Sequence, residues 1–245
     1  MEPEAPKLQK AMAQAGYGSR RTCERMIREG RVRVNGVRAR LGMRTDPSMN
    51  EIVVDGKPMR NPDPLVYVLL HKPAGVLSSL TSQGGWPTVI DLVEIETRVY
   101  PVGRLDLESE GLILLTNDGR LTHALTHPSY GHEKEYRVLL DRIPSEDQLQ
   151  SWREGVTIAD RARTSPAKVW VQDRRERWVG VILRQGMKRQ IRETALTLGL
   201  RVERLIRIRM ANLKLGDLES GAWRQLTNQE AEDLRLAVSE PDQVR

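Results

Sequence analysis

The sequence has no phenylalanine, one cysteine and four histidines, and aromatic residues make up only 4% of it. Each scarcity closes off a class of explanation. With Cys23 alone, neither an intrachain disulfide nor a thiolate metal cluster can form. A sheet that reads single strands by stacking bases on exposed aromatic rings is disfavoured when rings are so few. No apolar run approaches the ~18 residues of a membrane helix. The opening residues, MEPEAPKLQ, lack the basic-then-apolar order of a signal peptide. A soluble cytoplasmic protein is therefore expected. There is no Walker A loop, no GxGxxG and no GxSxG elbow. His123 and His127 stand four apart in HALTH without an acidic residue between them, so they read as helical neighbours on a polar face and not as a metal pair.

What is present is charge, unevenly placed. The 245 residues are ample for one large domain and a small one. The net charge is +6, and residues 1–60 carry 13 Lys/Arg against 7 Asp/Glu, whereas the rest of the chain carries 26 of each. The whole surplus sits in the first quarter, as in a nucleic-acid-facing module beside a neutral body.

That first quarter has a readable order. KLQKAMAQAGY (7–17) sets Leu8, Met12 and Ala15 at helical spacing. Ser19 is a good N-cap for a second helix, SRRTCERMIREG, which Gly30 stops. RVRVNGVRA then alternates Val32 and Val34 with arginines, and Asn35-Gly36 supplies a hairpin turn. Arg20, Arg21, Arg25, Arg28, Arg31 and Arg33 are the candidate phosphate contacts. Pro58, Pro62 and Pro64 mark 58–65 as a linker. Beyond it, strands are expected at LVYVLL (65–70), LILLT (112–116), YRVLL (136–140), AKVWVQ (167–172), WVGVILR (178–184) and from Val202 on, with HKPAG (71–75) a turn and a helix over 189–200. Irregular alternation of this kind fits an α+β body with a mixed, largely antiparallel sheet and flanking helices. The expected division is 1–60 and 61–245, with a loose tail at 236–245.

The chemistry is expected around GRLDLESEGLILLTNDG (103–119), where Asp106, Glu108 and Glu110 stand two apart. In an unbroken strand these carboxylates would share a face roughly 7 Å apart, a spacing that suits an inverting glycosidase. Ser109-Glu110-Gly111, however, reads as a turn with the strand beginning at Leu112. Asp106 then lies on a loop at a strand mouth, and Glu108 and Glu110 are solvated turn residues.

Two resemblances sharpen this. Residues 6–55, with the Ser-Arg-Arg helix start and the Gly-x-Val-x-Val-Asn-Gly ending, resemble the S4 RNA-binding domain. GRLDLESEGLILLTNDG resembles the active-site motif of the pseudouridine synthases, in particular the RsuA branch, which modifies ribosomal RNA. HKPAGVLSS (71–79) is similar to that family's first motif, with His71 where Asn is common. EKEYRV (133–138) is similar to its tyrosine motif, and LRQGMKRQIRETALTLGL (183–200) to its last block, where Glu193 replaces a basic residue. The resemblance implies a pseudouridine-synthase catalytic domain that acts on a flipped-out uridine of ribosomal RNA, more in the manner of the large-subunit (23S) group than the small-subunit (16S) one, without metal or other cofactor; a monomer is expected by default. It implies Asp106 as the reacting carboxylate, Arg192 as the cation paired with it, and Tyr136 as the ring against the base. Arg104, Lys188 and Arg189 become RNA contacts. A non-catalytic RNA-binding assembly protein on the same fold is the alternative, and a carbohydrate hydrolase using two of the three carboxylates is a more distant one.

Overall fold

The computed structural model describes residues 5–158, 163–173 and 175–239. The chain forms two compact units, divided between Leu65 and Val66. The first holds α1 (Leu8–Gln14), α2 (Arg20–Arg28), β1 (Val32–Val34), β2 (Val37–Arg38), β3 (Ile52–Val54) and β4 (Lys57–Pro58). Its α-helices form as the sequence dictates. Leu8, Ala11, Met12 and Ala15 bury one stripe of the first. The Ser19 hydroxyl accepts from the Thr22 amide at 3.0 Å to open the second. Removing such a cap costs about 1 kcal/mol. Asn35 and Gly36 both take positive φ (49° and 78°), the mirror-image turn that matches strand twist. Cys23, Met26 and Ile27 face Val32, Val34, Ile52 and Val54 in one small core. The expected linker starts later than proline counting placed it: Pro58 pairs with Val53 in β4, an edge strand where a missing donor is tolerated.

The second unit holds β5 (Tyr67–Lys72), β6 (Tyr100–Pro101), β7 (Glu110–Thr116), α3 (Gly119–Thr126), β8 (Lys134–Leu140), α4 (Glu146–Glu154), β9 (Lys168–Asp173), β10 (Trp178–Leu183), α5 (Gln190–Thr197), β11 (Val202–Met210), β12 (Leu213–Lys214), β13 (Trp223–Gln225) and α6 (Asn228–Ser239). Its strands make one sheet in the order β13-β5-β7-β11-β8-β10-β9, with β6 beside β7 and β12 beside β11. The β7–β11 pair is parallel and every other pair antiparallel. The fold is α+β.

Strand β7 reads as a continuous apolar run because both of its faces are covered. Leu112 and Leu114 pack with Leu121 and Leu125 of α3 and Leu234 of α6. Ile113 and Leu115 pack on the other side with Val76, Val89 and Leu105. A third core joins Val138, Val179 and Val181 to Trp152 of α4 and Ile191 of α5.

Four expectations need correction, and one helix is new. Strand β5 runs through His71 and Lys72, which the sequence reading put in a turn. Strand β7 begins at Glu110, two residues early, because Gly111 lies against the backbone of Arg207: a Cβ there would meet the Arg207 carbonyl oxygen at 2.3 Å, and its φ is +105°. Asn117-Asp118-Gly119 does not merely close a strand: the Asp118 carboxylate caps α3 through the amides of Arg120 and Leu121. Helix α4 went unread although Ser145 and Gln148 form a capping box. Of the tail expected over 236–245, residues 236–239 belong to α6 and 240–245 lie outside the described residues. Among the described residues no helix is long and apolar enough to cross a membrane.

Candidate active site

The loop 103–109 leaves β6 and enters β7, so its course is set from both ends and from the side. The Ser78 hydroxyl donates to the Leu105 carbonyl at 2.9 Å and accepts from the Leu105 amide at 3.0 Å. The Gly75 amide donates to Leu107 O at 2.8 Å. Beneath them lies Lys72, fully buried, whose ammonium donates to the carbonyls of Pro73 (2.9 Å), Leu107 (3.3 Å) and Ser109 (2.7 Å). Burial pushes its pKa down to about 8, against the attraction of Glu110 and Asp106 and together with repulsion from Arg207. The HKPAG segment thus serves as the clamp on the loop that presents Asp106.

The loop opens on a cavity of about 660 Å³. Asp106, Tyr136, Arg104, Lys188 and Arg189 all line it, so the structure brings these five site residues together. Tyr136 stands on β8 opposite Arg207 of β11 and Val181 of β10, half-buried between two cores. Arg104 and Lys188 are exposed at the rim. Arg189 takes a left-handed conformation (φ 55°) at the start of α5, uncommon without a glycine and here at a cavity wall.

The three carboxylates have different fates. Glu110 is held by Arg204 through two hydrogen bonds of 2.7 and 2.8 Å, which lower its pKa against its partial burial. It is a buried-side ion-pair partner and not the solvated turn residue expected. Glu108 faces the Arg189 guanidinium at 3.3 Å and that of Arg192 at 3.7 Å. Asp106 lines the cavity while Glu108 and Glu110 do not. A two-carboxylate glycosidase therefore has no pair to use.

Arg192 departs from expectation. It does not pair with Asp106: its guanidinium donates to Val202 O at 3.1 Å and turns to Glu108, and it is not a lining residue of the cavity. Desolvation lowers its pKa, and Asp106 acts on it only through space, after Glu108 and Arg189. The physical reason is the Glu108 backbone and carboxylate, which reach the guanidinium first from the same loop.

Sequence reasoning missed four groups that shape the site: Lys72, Ser78, Lys134 and Arg207. Lys72 carried a signal, since it continues the buried face of an apolar run; Arg207 sits likewise inside LIRIRM. His123 and His127 stack with ring centroids 5.0 Å apart, and among the described residues no third ligand joins them.

In the first unit the six candidate arginines, Arg20, Arg21, Arg25, Arg28, Arg31 and Arg33, are all exposed. Arg31 is committed to Asp55 by two 2.7 Å bonds and to Glu29, which raise its pKa. Arg25 lies 3.9 Å from Glu29. Among the described residues Arg20, Arg21 and Arg28 have no ion pair, so the free positive face is narrower than the sequence count.

Comparison with known proteins places this order of units, a basic helix-and-hairpin module and then a mixed sheet, in a class of RNA-modifying enzyme. Residues 66–196 match the model of the RNA pseudouridylate synthases and residues 7–50 that of the S4 domain. The chain belongs to the RNA pseudouridylate synthase family, within its RsuA-type branch. It is 37% identical over 235 residues to "Ribosomal large subunit pseudouridine synthase B" of Bacillus subtilis (strain 168), covering 94% of this chain and 95% of that protein. It is 36% identical over 230 residues to "Dual-specificity RNA pseudouridine synthase RluF" of Escherichia coli (strain K12), covering 93% of this chain and 78% of that one. A crystal structure of a pseudouridylate synthase superposes with a TM-score of 0.68 at 28% identity, over 94% of this chain and all (100%) of that one.

Proposed function

We propose that the chain converts a uridine of large-subunit ribosomal RNA to pseudouridine, with Asp106 as the reacting carboxylate. The observation that carries this reading is that Asp106, on a clamped loop, is the one carboxylate among the described residues lining the cavity, that Tyr136 lines it too, and that Glu108 and Glu110 are spent on arginines. The name of the Bacillus relative supports the choice of RNA. The reaction breaks N1–C1′, turns the freed base and rejoins it through C5. Asp106 attacks C1′, adds to the base or removes a sugar proton. The Tyr136 ring packs on the extruded base. Arg192 and Arg189 hold Glu108, and through it the far side of the loop, while adding positive potential near Asp106.

Extruding a base costs a few kcal/mol, which backbone contacts must offset. Residues 184–214 hold nine Lys/Arg against two Glu. Arg104, Lys188 and Arg189 supply contacts near the cavity, and the S4 arginines supply a separate patch. Site-resolved mapping of pseudouridine in ribosomal RNA, with and without the chain, tests the reading. One large-subunit uridine should depend on it. Binding with no dependent site would leave a non-catalytic assembly role.

The S4 patch has its own test. Changing Arg20, Arg21 and Arg25 together to Gln should weaken RNA binding roughly tenfold and lower the slope of log affinity against log salt by about 2 to 3. The melting temperature should stay within about 2 °C, because surface changes of this kind are nearly neutral. A large fall in melting temperature would show the patch to be structural.

A further inference from the structure

Strand β11 carries three arginines at near-alternate positions, and their partners differ. Arg204 is paired with Glu110, and Arg209 with Glu133 and Glu135. Arg207, between them, is 2% exposed and meets no carboxylate among the described residues. Its Nε donates to Leu112 O at 2.8 Å, and its Nη2 is enclosed without a partner. Beside it on the same sheet face is Lys134, two residues before Tyr136 on β8, whose register places Tyr136 opposite Arg207. Lys134 donates only to the His132 carbonyl, at 3.1 Å, and also lacks a carboxylate among the described residues. Burial, and then the Arg207 charge, push its pKa down to about 8. Both side chains line the cavity of Asp106. A buried cation beside a partly buried one, neither with a carboxylate in contact among the described residues, is unfavourable until an anion arrives.

We propose that Arg207 and Lys134 form an anion-stabilising subsite for the uracil ring while it is detached from the sugar. This rests on the synthase reading above. When N1–C1′ breaks, its electron pair leaves with the ring and spreads over N1, O2 and O4. The guanidinium and ammonium meet that charge through a carbonyl oxygen, as preorganised donors do for other developing oxyanions. On rejoining, the pair enters the C5–C1′ bond, the C5 proton is lost and N1 gains one, so nothing is oxidised or reduced. The base is assigned, and not a backbone phosphate, because Arg207 lies inside the sheet, between β7 and β8. The cations placed for phosphate, Arg104 and Lys188, are at the exposed rim.

The test uses the full chain with large-subunit ribosomal RNA transcripts made with uridine or with 5-fluorouridine, whose fluorine makes the ring a better leaving anion. Single-turnover loss of the N-linked nucleoside is read after digestion. Lys134→Met and Arg207→Gln should each slow the uridine transcript by about 10²–10³-fold, with RNA affinity within about threefold of wild type. The defect should shrink at least about tenfold on the fluorinated transcript, where less charge needs stabilising. Lys134→Arg should restore most of the rate. If Arg207→Gln fails to fold, Lys134→Met decides alone. Equal losses on both transcripts, or a loss explained by weaker RNA binding, would overturn the proposal in favour of a structural or phosphate-holding pair. A wild-type chain that converts neither transcript would instead overturn the synthase reading itself.

Discussion

Asp106→Asn is expected to give a folded protein that binds RNA with wild-type affinity and forms pseudouridine at least about 10⁴-fold more slowly, the scale seen when a reacting group is removed from an otherwise intact site. The reason for separating fold from activity is that none of the loop's fastenings uses the Asp106 carboxylate. Ser78 holds Leu105, the Ser109 amide donates to the Asp106 carbonyl at 3.0 Å, and Lys72 holds Leu107 and Ser109. The amide side chain has the same shape and cannot act as nucleophile or base at neutral pH. The control lies two residues away. Glu108→Gln should disturb Arg189 and Arg192 and cost far less, because Glu108 faces guanidinium groups and not the cavity. Nucleoside chromatography of treated RNA, alongside filter binding, reads both. If Asp106→Asn turned over near the wild-type rate while Glu108→Gln did not, the roles of the two carboxylates would be reversed.

The same loop shows what a sequence can and cannot tell. The longer strands of the body were legible as apolar runs bounded by turn residues, while the two- and three-residue strands β6 and β13 were not, and the S4 helices were legible because Ser19, Gly30 and Asn35-Gly36 have local jobs that no distant contact overrides. The place of Asp106, on a loop at the mouth of a strand, was legible through GRLD and its position before LILL. The identity of its neighbours was not. Whether Arg192 meets Asp106 or Glu108 depends on how a loop closes against α5, and sequence spacing carries no information on that. Glu110 looked like a turn residue because its partner, Arg204, is 94 residues away. Lys72 and Arg207 were hidden for a related reason. A charge inside an apolar run reads as a strand end, unless one knows that backbone carbonyls converge on it.

Lys72→Met tests that convergence, and the expected loss is both of stability and of rate. Methionine fills nearly the same volume, so no cavity is left, but the carbonyls of Pro73 and Ser109 lose the Lys72 donor, while Leu107 O keeps the Gly75 amide. Buried acceptors without partners are expensive, while removal of a buried charge is favourable. With two acceptors stranded the first effect wins, and unfolding free energy should fall by about 2–4 kcal/mol. Catalysis should fall about 10²-fold, as for a reacting group displaced by about 1 Å. Amide exchange at residues 105–109 should speed up more than in the S4 unit. The pH dependence distinguishes this from generic destabilisation. In the folded chain Lys72 releases its proton near pH 8, in the unfolded chain near 10.5. Between those values the unfolded state binds more protons, so this residue's contribution to stability rises with pH, and below pH 8 it is flat. Glu110, Asp106 and Arg207 are the charges that face it, and all are common to wild type and variant. The stability gap between wild type and Lys72→Met should therefore widen from pH 8 to 10.5 in denaturant titrations. A gap that stays constant across that window would mean that the ammonium keeps its proton throughout, with the three carbonyls standing in fully for water.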